Sequence, residues 1–174
     1  STTIKVNGLN DAIQQGGIKG LIVDLWGVMH NGKTLFPDAV KALESVRAKG
    51  VKVQFLSNAP RRAPEIYKML DGMGLDRALY DGIVSSGEAA WQAMKDRSDP
   101  FYAALGPVCY HLGAGEKDHN MREGQDFTFQ DELAYADWIL NTGPADASDM
   151  TQWIPLLKTA LTAKLPMVCA NPDR

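Results

Sequence analysis

Asp24 follows the apolar run Leu21-Ile22-Val23, and Ser57-Asn58 close a second apolar run over residues 51–56. In an open parallel sheet, ligands gather at the carboxyl ends of strands, so polar residues that terminate apolar runs are the natural candidates for a site. A carboxylate there, with Gly27 letting the next loop fold tightly, can attack a phosphoryl group and hold one side of a divalent cation. The Ser57 hydroxyl and the Asn58 amide can grip the non-bridging oxygens of the same group. The alternative for Asp24 and Asn58 is that each merely opens a turn, which Asp and Asn do readily.

Strands and helices must position these residues, and the sequence alternates between short apolar runs and helix-period stretches, the pattern of an α/β fold with a parallel sheet. Strands are expected over residues 18–26, 51–56 and 83–84. Between them, Pro37-Asp38 opens a helix with Val40, Leu43 and Val46 on one face and Gly50 at its end. A second helix over 64–70 turns Ile66, Met69 and Leu70 inward, and a third follows over 87–94. Asp, Pro and Gly break the pattern over 96–107, which marks a boundary between two lobes. Beyond it, strands are expected over 108–112, 138–140 and 167–170, with a helix capped by Ser148-Asp149 running to about residue 164 and carrying Leu156, Leu157, Ala160 and Leu161.

Composition narrows the classes of function. With 174 residues, 45% hydrophobic and 22% charged, the chain suits a folded core and a modest second lobe. A net charge of -3, with basic residues scattered, gives no footprint for nucleic acid. The longest apolar stretch, 21–29, is interrupted by Asp24 and falls far short of the roughly 20 residues that span a bilayer. No basic-then-apolar leader opens the chain, so a cytoplasmic location is expected, with a small molecule rather than nucleic acid or membrane as partner. Cys109 and Cys169 sit in apolar runs without a C-x-x-C spacing and read as small buried hydrophobes.

Several segments, taken in order, resemble the haloacid dehalogenase (HAD) superfamily, class IIA, the NagD-like phosphatases. They are residues 24–32 (Asp-Leu-Trp-Gly-Val-Met-His-Asn-Gly), 36–39 (Phe-Pro-Asp-Ala), 55–61 (Phe-Leu-Ser-Asn-Ala-Pro-Arg), 84–90 (Val-Ser-Ser-Gly-Glu-Ala-Ala) and 170–173 (Ala-Asn-Pro-Asp). The resemblance implies a Rossmann-like parallel-sheet core, incomplete here, over residues 1–105, and an inserted α/β cap over 106–174. It also implies Mg²⁺-dependent transfer of a phosphoryl group from a small phosphorylated metabolite, such as a sugar or nucleotide phosphate, to an aspartate and then to water. On that pattern Asp24 is the nucleophile and a metal ligand, and the Trp26 main-chain carbonyl is a second ligand. Ser57 binds the transferring group with Asn58 beside it, and Arg61 or Arg62 faces the substrate unless both are solvated.

Two departures matter. Most HAD phosphatases carry an aspartate two residues after the nucleophile as general acid, and here that residue is Trp26. An indole cannot shuttle the proton, a contribution of about 10² to 10⁴ in rate, so either another group, with His30 a candidate, supplies it or the leaving group needs little protonation. The family's later lysine and acidic pair also have no counterpart, so a truncated, inactive fragment is expected. The strand over 19–25 would then be left as an edge, prone to self-association. Three other readings stand beside this one: a HAD enzyme acting on carbon as dehalogenases do, a catalytically inactive binding or assembly module, and a phosphoryl-accepting receiver domain. The last lacks its acidic cluster and later lysine.

Overall fold

A computed structural model describes residues 5–113, 115–144 and 150–171. The chain divides into two compact units, Ser1–Ser57 with Pro64–Val84, and Asn58–Ala63 with Ser85–Arg174. Each is an α/β arrangement in which helices separate the strands.

In the first unit, α1 (Leu9–Gly16) precedes β1 (Gly20–Asp24), α2 (Pro37–Ala48), β2 (Lys52–Ser57), α3 (Ala63–Gly72) and β3 (Gly82–Ser85). The strand order is β1-β2-β3. β1 and β2 are parallel, with Gly20 opposite Lys52 and Asp24 opposite Leu56. Pro37 sits at the start of α2, where a missing N–H costs nothing. The helix ends as Gly50 takes φ 72, the left-handed turn that frees the chain to enter β2. Leu43 and Val46 of α2 are buried, as are Val53 and Phe55 of β2 and Ile66 and Leu70 of α3. The path into β3 is pinned by Asp81, whose carboxylate accepts from Val53 N at 2.7 Å and pairs with Arg47 at 2.7 Å.

The other face of this sheet is open. Ile22 is 74% exposed, and Leu56 and Val84 are also exposed. Parallel sheets are normally covered on both sides. β1 lies at the edge of the sheet, as the sequence reading anticipates.

The second unit contains α4 (Ser86–Asp96), the short α5 (Pro100–Ala103), β4 (Val108–Leu112), β5 (Thr128–Gln130), β6 (Trp138–Asn141), α6 (Ile154–Thr162) and β7 (Met167–Cys169). Its strands are parallel in the order β5-β4-β6-β7. Side-chain alternation along β6 sends Trp138 and Leu140 into a core with Cys109, Met121 and the α4 residues Ala90 and Met94. Ile139 joins a separate core with Leu112 and Ala160 of α6.

Several details depart from the sequence reading. α1, α5 and β5 are additional elements, β1 is shorter than 18–26, and Cys169 is exposed, while Cys109 is buried with its thiol pushed up to about 12 by desolvation. The proposed Ser148-Asp149 cap lies outside the described residues, and α6 begins at Ile154, after a tight turn over Met150–Gln152. Among the described residues, no helix is long and apolar enough to cross a membrane.

An edge strand with apolar Leu21, Ile22 and Val23 and no proline invites pairing with another chain. We expect the chain to self-associate with rising concentration in sedimentation velocity, and Ile22→Lys to weaken that association. Because Ile22 is mostly solvent-exposed, the substitution is expected to change unfolding stability by no more than about 0.5 kcal/mol. A wild type that stays monomeric throughout would contradict this.

Candidate active site

The structure places Asp24 and Ser57 at the carboxyl ends of two adjacent parallel strands, one residue out of register. Asp24 is exposed, and one of its oxygens, Oδ1, accepts from Leu25 N at 2.8 Å. Ser57 is buried. That anchors one carboxylate oxygen and leaves the other toward solvent.

After Asp24 the chain leaves the ladder and doubles back on itself. Leu25 O accepts from Met29 N at 2.8 Å, Gly27 N donates to His30 O at 2.9 Å, and Gly27 takes φ 74. Trp26 is thus carried on a tight turn directly beyond Asp24, with its indole 65% exposed. A methyl group added to Gly32, at φ 88, would come within 2.7 Å of that indole, so glycine is required there. His30 is buried, edge-on to Trp26 at 5.8 Å between ring centroids, and its Nδ1 accepts from Gly32 N at 2.9 Å. Burial holds the His30 imidazole below its usual value, with the Asp24 charge acting in the opposite direction.

Asn58 and Arg61 lie on segment Asn58–Ala63, which packs with the second unit. This segment is held by the start of α4. Gly87 N donates to Ala59 O at 3.1 Å, and Ser85 Oγ donates to Arg61 O at 2.6 Å while accepting from Glu88 N. Glu88 takes two bonds from Arg62 and one from Ala63 N, and the Arg62 hydrogen bond holds the Glu88 carboxyl below its usual range. Arg62 also stacks on Trp91 at 3.6 Å. Arg62 is therefore committed to structure, whereas the Arg61 side chain is exposed. A methyl group on Gly87 would sit 2.6 Å from Arg61 O, so the tight approach depends on this glycine.

The sequence reading missed a buried polar chain in the second unit. Arg122 Nε donates to His111 Nδ1 at 2.9 Å, His111 Nε2 meets Thr142 Oγ1 at 2.9 Å, and Thr142 Oγ1 donates to Asp118 at 2.8 Å. Because Nδ1 accepts, the imidazole proton resides on Nε2 and points at Thr142. The signal was available: Asn141-Thr142 follow the apolar run Trp138-Ile139-Leu140 as Ser57-Asn58 follow theirs. Burial first, and the Arg122 guanidinium second, push the His111 imidazole down to about 4.

The chain matches the family of haloacid dehalogenase-like hydrolases over residues 21–125. A haloacid dehalogenase-like hydrolase from Brucella suis 1330 is similar at 29% identity and a TM-score of 0.82, over 95% of this chain and 57% of that one. NagD of E. coli K-12 shares the fold at 23% identity and a TM-score of 0.60, over 90% of this chain and 58% of that one. A glycerol phosphate phosphatase from Mycobacterium tuberculosis, solved with magnesium, shares it at 22% and 0.62, over 90% and 45%. The chain thus spans a little over half the length of the Brucella relative. No curated protein matches it in sequence.

The buried His111 makes stability depend on pH. The unfolded chain takes up its proton near 6.5 and the folded chain only near 4, so between those values the unfolded state binds more protons. Stability is therefore expected to fall as the pH is lowered from about 6.5 toward 4, by up to roughly 3 kcal/mol, and to be unaffected by this group above that window. Urea unfolding of the wild type and His111→Gln near pH 7 and near pH 5 checks it. The variant should show the smaller loss on acidification, and equal losses would refute the assignment.

Proposed function

This chain belongs to the haloacid dehalogenase-like hydrolases, and on that footing we propose that it carries the nucleophile of a phosphatase acting on small phosphorylated metabolites. The observation that supports the reading best is the placing of Asp24 and Ser57 at neighbouring strand ends on one edge of a parallel sheet.

In this reading the unanchored oxygen of Asp24 attacks phosphorus, forming an aspartyl phosphate and expelling the leaving oxygen, and water then releases phosphate and restores the carboxylate. Ser57 holds the transferring group. Asn58 and Arg61 are assigned to substrate by their places in the family motif, and the division into a core over 1–105 and a cap over 106–174 belongs to the same proposal. Trp26 cannot protonate the leaving oxygen, so preference falls on substrates whose leaving group departs as a stable anion.

The donor chemistry suits Mg²⁺. A carboxylate from Asp24 and the main-chain carbonyl of Trp26 are hard oxygen ligands of the kind that ion takes while keeping several waters. When bound, it offsets the negative charge of the phosphoryl oxygens. Among the described residues no cluster of three or more His, Cys, Asp or Glu side chains is placed to hold a metal, so binding is expected to be weak and the 174-residue chain slow by itself. A cytoplasmic address fits a metabolite substrate and is proposed with it.

The test is turnover of p-nitrophenyl phosphate with Mg²⁺, in the longest polypeptide that the gene encodes and in the 174 residues alone. Asp24→Asn is expected to lower kcat by at least about 10⁴-fold, and the shorter chain to be slower by about 10²-fold or more. Turnover indifferent to Asp24→Asn would exclude the reading, and metal-independent halide release would favour chemistry on carbon.

A further inference from the structure

Two arginines stand side by side on the segment Asn58–Ala63, and the fold treats them in opposite ways. Arg62 is held twice over. Its Nε and Nη2 donate to the two oxygens of Glu88 at 2.8 and 3.1 Å, a fork that a lysine could not make, and its guanidinium lies 3.6 Å over the Trp91 ring. Trp91 is itself fixed, since its Nε1 donates to Glu123 O at 2.9 Å and its main-chain O accepts from Gln125 Nε2 at 2.9 Å. With 18% of the Arg62 side chain and 26% of that of Glu88 exposed, salt screens the pair little. Arg61, one residue before, is exposed.

The main chain around Arg61 is nevertheless fixed. Ala59 O accepts from Gly87 N at 3.1 Å, Arg61 O accepts from Ser85 Oγ at 2.6 Å, and Ala63 N donates to Glu88 at 2.9 Å. Alternate residues of the segment are thus tied to the start of α4, with Arg61 in the middle. A Cβ on Gly87 would collide with Arg61 N and Pro60 C, so the segment lies flush against the helix. Glu88 serves both arrangements, because one carboxylate binds the Arg62 side chain and the Ala63 main chain together. An exposed guanidinium on a fixed main chain is a forked donor ready for a phosphate, whereas an unpaired Arg62 would compete for the same anion.

We propose that Glu88 is a positioning residue that decides which arginine meets an anionic substrate: by pairing with Arg62 and holding Ala63 N, it withdraws one guanidinium and leaves Arg61 as the one presented to a phosphate ester. Its bearing on turnover rests on the phosphatase reading above, while the selection of Arg61 over Arg62 by phosphate does not. Glu88 itself touches no substrate and moves no proton.

Titration of inorganic phosphate into the labelled 174-residue chain, followed in carbon-detected Nε–Cζ spectra of the arginines, tests the selection without reference to activity. Phosphate is expected to move the Arg61 resonance and to leave that of Arg62 in place. In Glu88→Gln, which keeps the shape of the side chain but not its charge, Arg62 should respond as well. A wild type in which Arg62 responds or Arg61 does not, or a folded Glu88→Gln chain in which Arg62 stays silent, overturns the proposal. In the longest encoded polypeptide, Glu88→Gln should lower kcat/KM for p-nitrophenyl phosphate by about 10-fold, mostly through KM, and by less than about 2-fold in the Arg61→Ala background. An equal loss in both backgrounds would mean that Glu88 acts on the fold and not through Arg61, and would overturn the proposal, as would no loss at all. Should phosphate select Arg61 as expected while no polypeptide turns over, the selection stands and the phosphatase reading fails. Turnover that depends on Asp24, with equal losses in the two backgrounds, fails the proposal alone.

Discussion

The pairing of β1 with β2, parallel and with Asp24 opposite Leu56, is the constraint on which the proposed chemistry depends. Parallel strands cannot be joined by a tight turn and need a crossover element, which α2 provides. The consequence is that both strands end at the same edge of the sheet, Asp24 in the exposed row with Ile22 and Leu56, and Ser57 in the buried row with Val53 and Phe55. Val53 and Phe55, both fully buried, hold β2 in place, each at a gain of about 1.5–3 kcal/mol. A one-residue slip of β1 would exchange its two rows of side chains and turn Asp24 to the opposite face. The register is therefore as much a part of the site as the aspartate is.

The same pairing explains what could be read from sequence. Residues 51–56 and 108–112 were legible as strands because their apolar runs are short and bounded, and α2 because Pro37 and Gly50 mark its ends. β1 is shorter than its apolar run for a reason that propensity does not carry. Past Asp24, Leu25 O gathers the N–H groups of Met29, Val28 and His30, and the chain closes into a turn instead of extending. β5 escaped notice because Thr128-Phe129-Gln130 offers one apolar residue, and only its pairing with β4 makes it a strand. Cys169 looked buried because its run is apolar, yet it takes the exposed position of an alternating pair with Val168.

Asp24 and Ser57 were visible as ends of apolar runs, and the structure puts them on one edge. The supporting groups were less visible. Nothing in the spacing of Gly87, Glu88 and Arg62 shows that they clamp the segment bearing Arg61, since that clamp depends on the segment approaching the start of α4. His30, in sequence a candidate for the missing acid, is sealed by the fold beside Trp26, which its spacing does not show. With an indole where an acid would stand, the proposed reaction leans on how easily the leaving group departs.

The most direct measurement is ¹⁹F NMR of the chain with beryllofluoride, a mimic of a phosphoryl group bound to a carboxylate, in the presence of Mg²⁺. If Asp24 is the phosphoryl acceptor, a bound resonance appears, is lost in Asp24→Asn and weakens in Ser57→Ala. A wild-type spectrum showing free beryllofluoride alone, or a bound resonance that survives Asp24→Asn, would contradict the account.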